Sequence, residues 1–516
     1  MLVAACWSAP SRAAIAPGRS PLSSYLAARV AAAEGRSAAA SGDYAIALTG
    51  WPDDPAVAVR AYREAMISGD EALALRAARV MEAEQVAPID VALLDLAIAA
   101  RKHDRTAYDA ALVRIDAGAL RIVAPVLRAW AAWDRRQPVE AALDSAGKEP
   151  VARRLADEHR ILLALAAKRM DSQSTLVLLQ AMSAAADTRI AAAQIRAGRG
   201  DEAQAKVLLS DPLVSADRRA LGAKPDLAFG VSRLLVRVAA ELVGEGPRPL
   251  VIALTRTALI ADPGNDRARL LMAEALSRDE AWDAAIAAIQ GVAPRGAFAH
   301  RAAVVRVGLL ASADRAGEAL MLARALATAK DATVDDWQIY GDQLIAAKRP
   351  ADAAIWYERV TRADPPVPWA AWLQYGGALD QAGQSELADA PLAKAVELGP
   401  DEPLALNYLG YARIERGKAD PASLALLEKA SKLAPDDASI TDSLGWAYHK
   451  AGQTRRGLPL VERAAMADPA NAEIADHLGD IYWALGRLYE ARYSWRAAAL
   501  TADEPLAGRL AHKVTL

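Results

Sequence analysis

Residues 406–498 repeat one pattern at a fixed interval. Leu444, Gly445, Tyr448, Gly452, Val461 and Ala464 return 34 residues later as Leu478, Gly479, Tyr482, Gly486, Trp495 and Ala498. Upstream, Trp337, Tyr340, Gly341, Leu344, Ala353, Tyr357 and Pro365 return after 35 residues as Trp372, Tyr375, Gly376, Leu379, Ala388, Leu392 and Pro400. A period of this length marks one supersecondary unit written several times over, each copy burying its apolar face against its neighbours. A chain of 516 residues built this way needs no single large core.

The residue types in each slot point to helical hairpins. Gly at the eighth position of a first helix lets a second helix approach closely. Leu and aromatic slots fill the space between helices, and Pro opens the next helix, where its missing N–H costs little. Asp436, Asp437 and Asn471 lie where an N-cap is expected. Apolar residues make up 53% of the chain but aromatics only 5%, with Phe only at Phe229 and Phe298, so much of the apolar content is Ala, which favours closely packed helices. The fold expected is all-α, a right-handed α-solenoid of tandem helix-turn-helix hairpins.

The regularity is uneven. Residues 1–21 read as a truncated signal-like or disordered N-terminus, and 22–221 as degenerate hairpins punctuated at Gly42, Pro52, Gly69 and Pro88. Residues 222–330 read as an irregular joint followed by further hairpins, on the strength of Lys224-Pro225 and the Gly and Pro between 244 and 249. Asp211-Pro212 lies just before it. Residues 331–501 are the regular repeats, and 502–516 a C-terminal tail.

Charge and cysteine usage exclude several functions. A net charge of −3 without a basic stripe argues against nucleic acid as a partner. The lone Cys6 excludes an internal disulfide framework or thiolate metal cluster. The run Leu2-Val3-Ala4-Ala5-Cys6 looks like the end of a bacterial lipoprotein signal, and Ser11-Arg12-Ala13 fits a small-x-small cleavage site. No basic n-region and too few residues precede Cys6 for a working signal, so the expectation is either a start codon assigned downstream of the true one or a harmless apolar N-terminus. Membrane association is expected only through a lipid anchor at Cys6, because no apolar run reaches the roughly 18 residues of a span.

The 34-residue unit resembles the tetratricopeptide repeat. More narrowly, Leu409-Gly410-Tyr411, Asp442-Ser443-Leu444-Gly445-Trp446 and His477-Leu478-Gly479-Asp480 with Trp483 resemble the C-terminal repeats of a bacterial outer-membrane lipoprotein family. The resemblance implies an adaptor that binds a periplasmic carboxyl-terminal processing protease and presents cell-wall hydrolases to it.

In repeats of this kind the first helices line the concave face. Asp442, Trp446 and His449 are spaced i, i+4, i+7 and share one helix face. Asp476, Asp480 and Trp483 carry that face into the next repeat, and Asn407 and Tyr411 into the preceding one. The combination predicts a groove for a protein segment, with at least one Trp as an exposed anchor; the competing reading makes both Trp residues inter-repeat packing. The carboxylates disfavour a C-terminal carboxylate ligand and favour a basic or amphipathic segment. Leu409, Gly410, Leu444, Leu478, Trp337, Trp372 and Trp495 are assigned to packing.

Catalysis finds little support. Ser443 and His449 lie about 240° apart around one helix, and Asp442 and His449 about 10 Å apart in rise, so no relay forms. Metal ligation by His449, His477 and the acids would need a convergence that the spacing does not supply. No cofactor is expected, and Gly376-Gly377 is a packing feature. His103, His159, His300 and His512 have no evident partners and read as solvated or capping residues. The function expected is a non-enzymatic scaffold in the cell envelope; the alternative is a cytoplasmic scaffold for a secretion, pilus or polysaccharide assembly system.

Overall fold

The computed structural model describes residues 20–182, 185–209, 222–294, 296–364 and 366–515. Cys6, Asp211-Pro212 and Pro365 lie outside them. Among the described residues there are 29 α-helices, one short 3₁₀ turn and no strand. They form two compact units, 1–315 and 316–516.

In the second unit five hairpins follow one plan. The pairs are Val334–Ala346 with Pro350–Thr361, Trp369–Gln381 with Ser385–Leu398, Pro403–Glu415 with Pro421–Leu433, Ala438–Lys450 with Thr454–Ala467, and Ala472–Ala484 with Leu488–Ala499. Each turn is closed by a residue in the left-handed region. Gly383, Gly417, Gly452 and Gly486 take this slot with φ of 73°, 75°, 78° and 78°. In the first hairpin Lys348 takes it at φ 56°, a conformation that costs a side chain more than it costs glycine. Asp437 caps its helix by accepting from the Ile440 N–H, and Asn471 from those of Glu473 and Ile474. Asp436 is not the cap.

The glycine slot has a direct physical cause. A Cβ on Gly341, Gly376, Gly410, Gly445 or Gly479 would lie 2.5, 2.6, 2.7, 2.5 or 2.3 Å from Tyr357, Leu392, Leu427, Val461 or Trp495, respectively. Each glycine therefore receives the large residue sixteen or seventeen positions on, from the second helix of its own hairpin. Leu409, Leu444, Tyr448 and Trp495 are buried, while Trp337, Trp372, Leu478 and Tyr482 are partly so. The Arg359 guanidinium lies 3.9 Å from the Trp337 ring centre.

The segment expected as a C-terminal tail is instead a helix, Glu504–Lys513, capped by Asp503. Its Leu506 and Leu510 bury against Ala491, Trp495 and Ala498. It covers an apolar face of the hairpin Ala472–Ala484 with Leu488–Ala499.

The first unit is not a one-dimensional stack. Helix Arg248–Ala261 packs on Pro55–Ser68 and Val91–Lys102, and Leu227–Leu242 on Val91–Lys102 and Ala124–Asp134. Arg256 donates from Nε to Met66 O at 2.7 Å and from Nη2 to Ile67 O at 2.6 Å. Within the stretch expected to be an irregular joint, Leu227–Leu242 is a buried central helix. Its Gly230 marks close approach rather than a break: a Cβ there would lie 2.1 Å from the Trp130 ring. Pro249 sits in the first turn of the next helix, where the sequence signal suggested a joint.

A polar seam runs through this packing. Glu158 accepts from Arg237 Nε at 2.9 Å and Nη2 at 3.1 Å, and Arg233 donates to Gln194 at 2.7 Å and Asp262 at 2.8 Å. His159, expected to be solvated or capping, is buried, and its Nδ1 accepts from Trp130 Nε1 at 2.9 Å. Burial, reinforced by the Arg237 charge, pushes its pKa down to about 3 and keeps the ring neutral.

Candidate protein-binding surface of the second unit

The first helices of the last three hairpins bring together most of the residues expected to form a groove, and join them to one another. Tyr411 donates its hydroxyl to Glu473 Oε1 at 2.8 Å, two repeats away. Burial and then the Glu473 carboxylate push the phenol's pKa well up. Asn407 is half-buried, with its Oδ1 unpartnered among the described residues. Asp442 is 4% exposed, and its Oδ2 lies 2.8 Å from His477 Nδ1.

Trp446 is an inter-repeat packing residue. It is 7% exposed, stacks on the His477 ring at 4.0 Å and 10°, and donates from Nε1 to Glu415 Oε1 at 2.7 Å. His449 lies beside it, 5.1 Å between ring centres, with Nδ1 3.1 Å from Thr454 Oγ1. Burial lowers the His449 pKa; Asp480 opposes the shift, while Lys450 and His477 add to it.

For His477 the balance reverses. Burial opposes its charge, but the charge and hydrogen bond of Asp442, with the charges of Glu473 and Asp476, hold its pKa above the ordinary value. Asp442 is the closest charged partner of a ring that Trp446 covers on one face. The sequence showed both residues but not the contact. Its signal was their spacing of 35, about one repeat period, which sets them side by side on adjacent first helices.

Asp476 and Asp480 are also occupied. Lys513 Nζ reaches Asp476 Oδ1 at 2.7 Å and both oxygens of Asp480 at 2.8 Å, and Trp495 Nε1 donates to Asp480 Oδ1 at 3.0 Å. The basic partner that the acidic face favours is here supplied by the chain's own last helix. Ser443 Oγ donates to the Ser439 carbonyl one turn back, at 2.8 Å, and takes part in no relay. Among the described residues no three His, Cys, Asp or Glu side chains gather as a metal-binding group.

Two further links keep the sequence period. Tyr448 donates to Glu428 Oε1 and Tyr482 to Glu462 Oε1, each at 2.7 Å, tying each first helix to the second helix before it. Arginines cover both rings, Arg456 at 3.9 Å and Arg487 at 4.3 Å.

Among the exposed apolar side chains of this unit, which include Met466 and Leu500, three aromatic ones belong to the hairpin Ala472–Ala484 with Leu488–Ala499. Trp483 is 36% exposed and tilts against Trp495 at 5.5 Å. Tyr489 and Tyr493, one turn apart on helix Leu488–Ala499, are 80% and 71% exposed. Both lie outside the repeating pattern, so they escaped notice; their i, i+4 spacing was the available signal.

Hairpins of this period, with a left-handed turn residue and a glycine facing a large side chain, are similar to tetratricopeptide repeats. No family model matches the chain. A TPR repeat-containing protein of Pseudomonas aeruginosa is 43% identical over 54 residues, 10% of this chain and 9% of that protein. The chain thus matches less than a tenth of that relative's length. A thermophilic TPR protein of Thermus thermophilus aligns with 36% of this chain and 100% of its own, at 21% identity and a TM-score of 0.32. For a tetratricopeptide repeat protein from Parabacteroides merdae the shares are 49% and 99%, at 12% identity and a TM-score of 0.43. YrrB, described as a TPR protein with an unusual peptide-binding site, aligns over 33% of this chain and 86% of its own, with 20% identity and a TM-score of 0.28.

Proposed function

We propose that this protein is a non-catalytic adaptor that binds segments of other proteins on its stacked hairpins. The observation that carries this reading is the pair Tyr489 and Tyr493, 80% and 71% exposed one turn apart on helix Leu488–Ala499, in the hairpin that also carries the partly exposed Trp483. Large amphipathic side chains standing in water at the end of a rigid scaffold are the residue type that anchors protein interfaces. The buried acids and histidines are engaged in links between repeats, which supports a structural role for them.

The finer reading follows from the lipoprotein-like phrases around Gly410, Gly445 and Gly479. In it the adaptor works in the bacterial cell envelope, tethered by a lipid on Cys6, and raises the local concentration of clients beside a carboxyl-terminal processing protease. A photo-cross-linking residue placed at Tyr489 or Tyr493 in cells tests both levels. The expected result is a small set of cross-linked proteins that includes such a protease and is absent when the probe sits on the exposed Lys418. The same products from both positions would remove the adaptor reading. A specific set made only of cytoplasmic proteins would remove the envelope reading and favour a cytoplasmic assembly scaffold.

A further inference from the structure

The first unit carries a second surface with a different chemistry. Three adjoining cavities of about 710, 510 and 240 Å³ all border Arg63. The largest lies between helices Pro21–Ala33 and Pro55–Ser68 and has Arg29, Arg60 and Arg63 on its walls. All three arginines are exposed, and among the described residues none has an ion-pair or hydrogen-bond partner. That sets them apart from Arg101, Arg114 and Arg135, which hold Glu71, Asp95 and Asp109 at 2.7, 2.5 and 2.6 Å.

Glu64 supplies an independent sign of an unfilled site. It borders the two larger cavities, is 8% exposed, and its Oε2 has no hydrogen-bond partner. Burial raises its pKa, opposed by a hydrogen bond with Ser37 and then by the Arg63 charge, so only the Oε2 oxygen is left without a partner.

The smallest cavity shares Val59, Arg63 and Val86 with the largest, so the two adjoin across these side chains. Tyr62, Met66, Met81 and Ile252 line it. Tyr62 donates its hydroxyl to Asp90 at 2.6 Å, so that hydrogen is already used. Val59 and Val86 stand at the rim, 45% and 47% exposed. This end accepts a compact apolar group and is too short for a long acyl chain.

We infer that the groove around Arg63 binds an acidic segment of a partner protein, seating one large apolar side chain between Met66, Met81 and Ile252 and its flanking carboxylates on Arg29, Arg60 and Arg63. Unpaired guanidinium groups beside an apolar pocket match that chemistry in charge and in shape. Methionines in the floor adapt to more than one side chain. This rests on the reading of the chain as a protein-binding adaptor but uses a different surface, so it can fail while the cross-links from Tyr489 and Tyr493 stand.

The test is fluorescence anisotropy of the full chain with a labelled, amidated peptide in which a single Leu is flanked by Glu and Asp. Saturable binding that weakens as salt rises is expected, because exposed charge pairs are screened. Replacing the acids with Lys, or the Leu with Ser, should each weaken binding at least about tenfold, as should the protein variant Arg60→Glu with Arg63→Glu. Arg60→Gln with Arg63→Gln, a milder change at the same exposed sites, serves if far-UV circular dichroism shows that charge reversal disturbs the helices. Equal binding of the basic peptide, or indifference to the arginine variants, overturns the inference. So does tight binding of oleate or of inorganic phosphate to the same site when the peptide does not bind.

Discussion

Lys513 Nζ lies 2.8 Å from both carboxylate oxygens of Asp480. The last helix therefore does two things at once. Leu506 and Leu510 bury against Ala491, Trp495 and Ala498, and Lys513 pairs with two carboxylates, Asp476 and Asp480, of helix Ala472–Ala484. Asp476, 5% exposed, is held at 2.7 Å by the same ammonium.

Lys513→Met leaves these two carboxylates without their cation. Lys513 and Asp480 keep 24% and 28% side-chain exposure, so water screens part of the loss. The expected cost is about 1–3 kcal/mol, below that of breaking a fully buried pair. Urea denaturation followed by circular dichroism measures it. A double-mutant cycle with Asp480→Asn should show a coupling of about 1 kcal/mol, and additive effects would contradict the pairing.

At Gly479 two effects oppose each other. Ala gains about 1 kcal/mol of helix propensity. Its Cβ, however, would lie 2.3 Å from Trp495 Nε1, whose ring is pinned to Asp480. Overpacking of this kind costs about 1–3 kcal/mol, so Gly479→Ala should be net destabilising. In a Trp495→Leu background, which copies the Leu392 and Leu427 slots, the penalty should shrink. An unchanged penalty would show that the ring is not its source.

The two buried histidines predict opposite pH dependences. His477 binds its proton more tightly folded than unfolded. Its contribution is fully present below the unfolded pKa of about 6.5 and is lost as pH rises through its raised folded value. His159, down at about 3 in the fold, contributes above about pH 6.5 and loses that contribution as pH falls toward its folded value. Stability measured against pH should therefore lose its alkaline decline in His477→Gln and part of its acid decline in His159→Asn. Parallel curves for wild type and variants would count against these assignments.

The three aromatic positions should separate by burial. Trp446→Ala empties a site that is 7% exposed and should cost about 3–5 kcal/mol. Trp483→Ala should cost on the order of 1 kcal/mol, and Tyr489→Ser with Tyr493→Ser should change the melting temperature little. A large loss from the tyrosine pair would mean that they are structural rather than displayed.

Local chemistry made much of the second unit legible in advance. Hairpin period, Gly341, Gly376, Gly410, Gly445 and Gly479, and the caps at Asp437 and Asn471 all act at fixed short offsets along the chain, so the sequence carries them openly. The candidate surface was half legible. Shared helix faces brought Asp442, Trp446 and His449 together on paper, but a face shows only which side chains are neighbours, not whether another element already covers them.

By itself the sequence determined the repeating unit, because a period is a statement about local equivalence that needs no knowledge of distant contacts. Only the tertiary structure decided which acids are free and which are taken. Lys513 comes from a helix outside the period, Glu415 and Glu473 reach across repeats, and Arg256 meets Met66 across nearly two hundred residues. Contacts between elements that do not repeat leave no periodic mark on the chain, and the gathering of Arg29 with Arg60 and Arg63 around one groove, from two helices, is visible only in the tertiary structure.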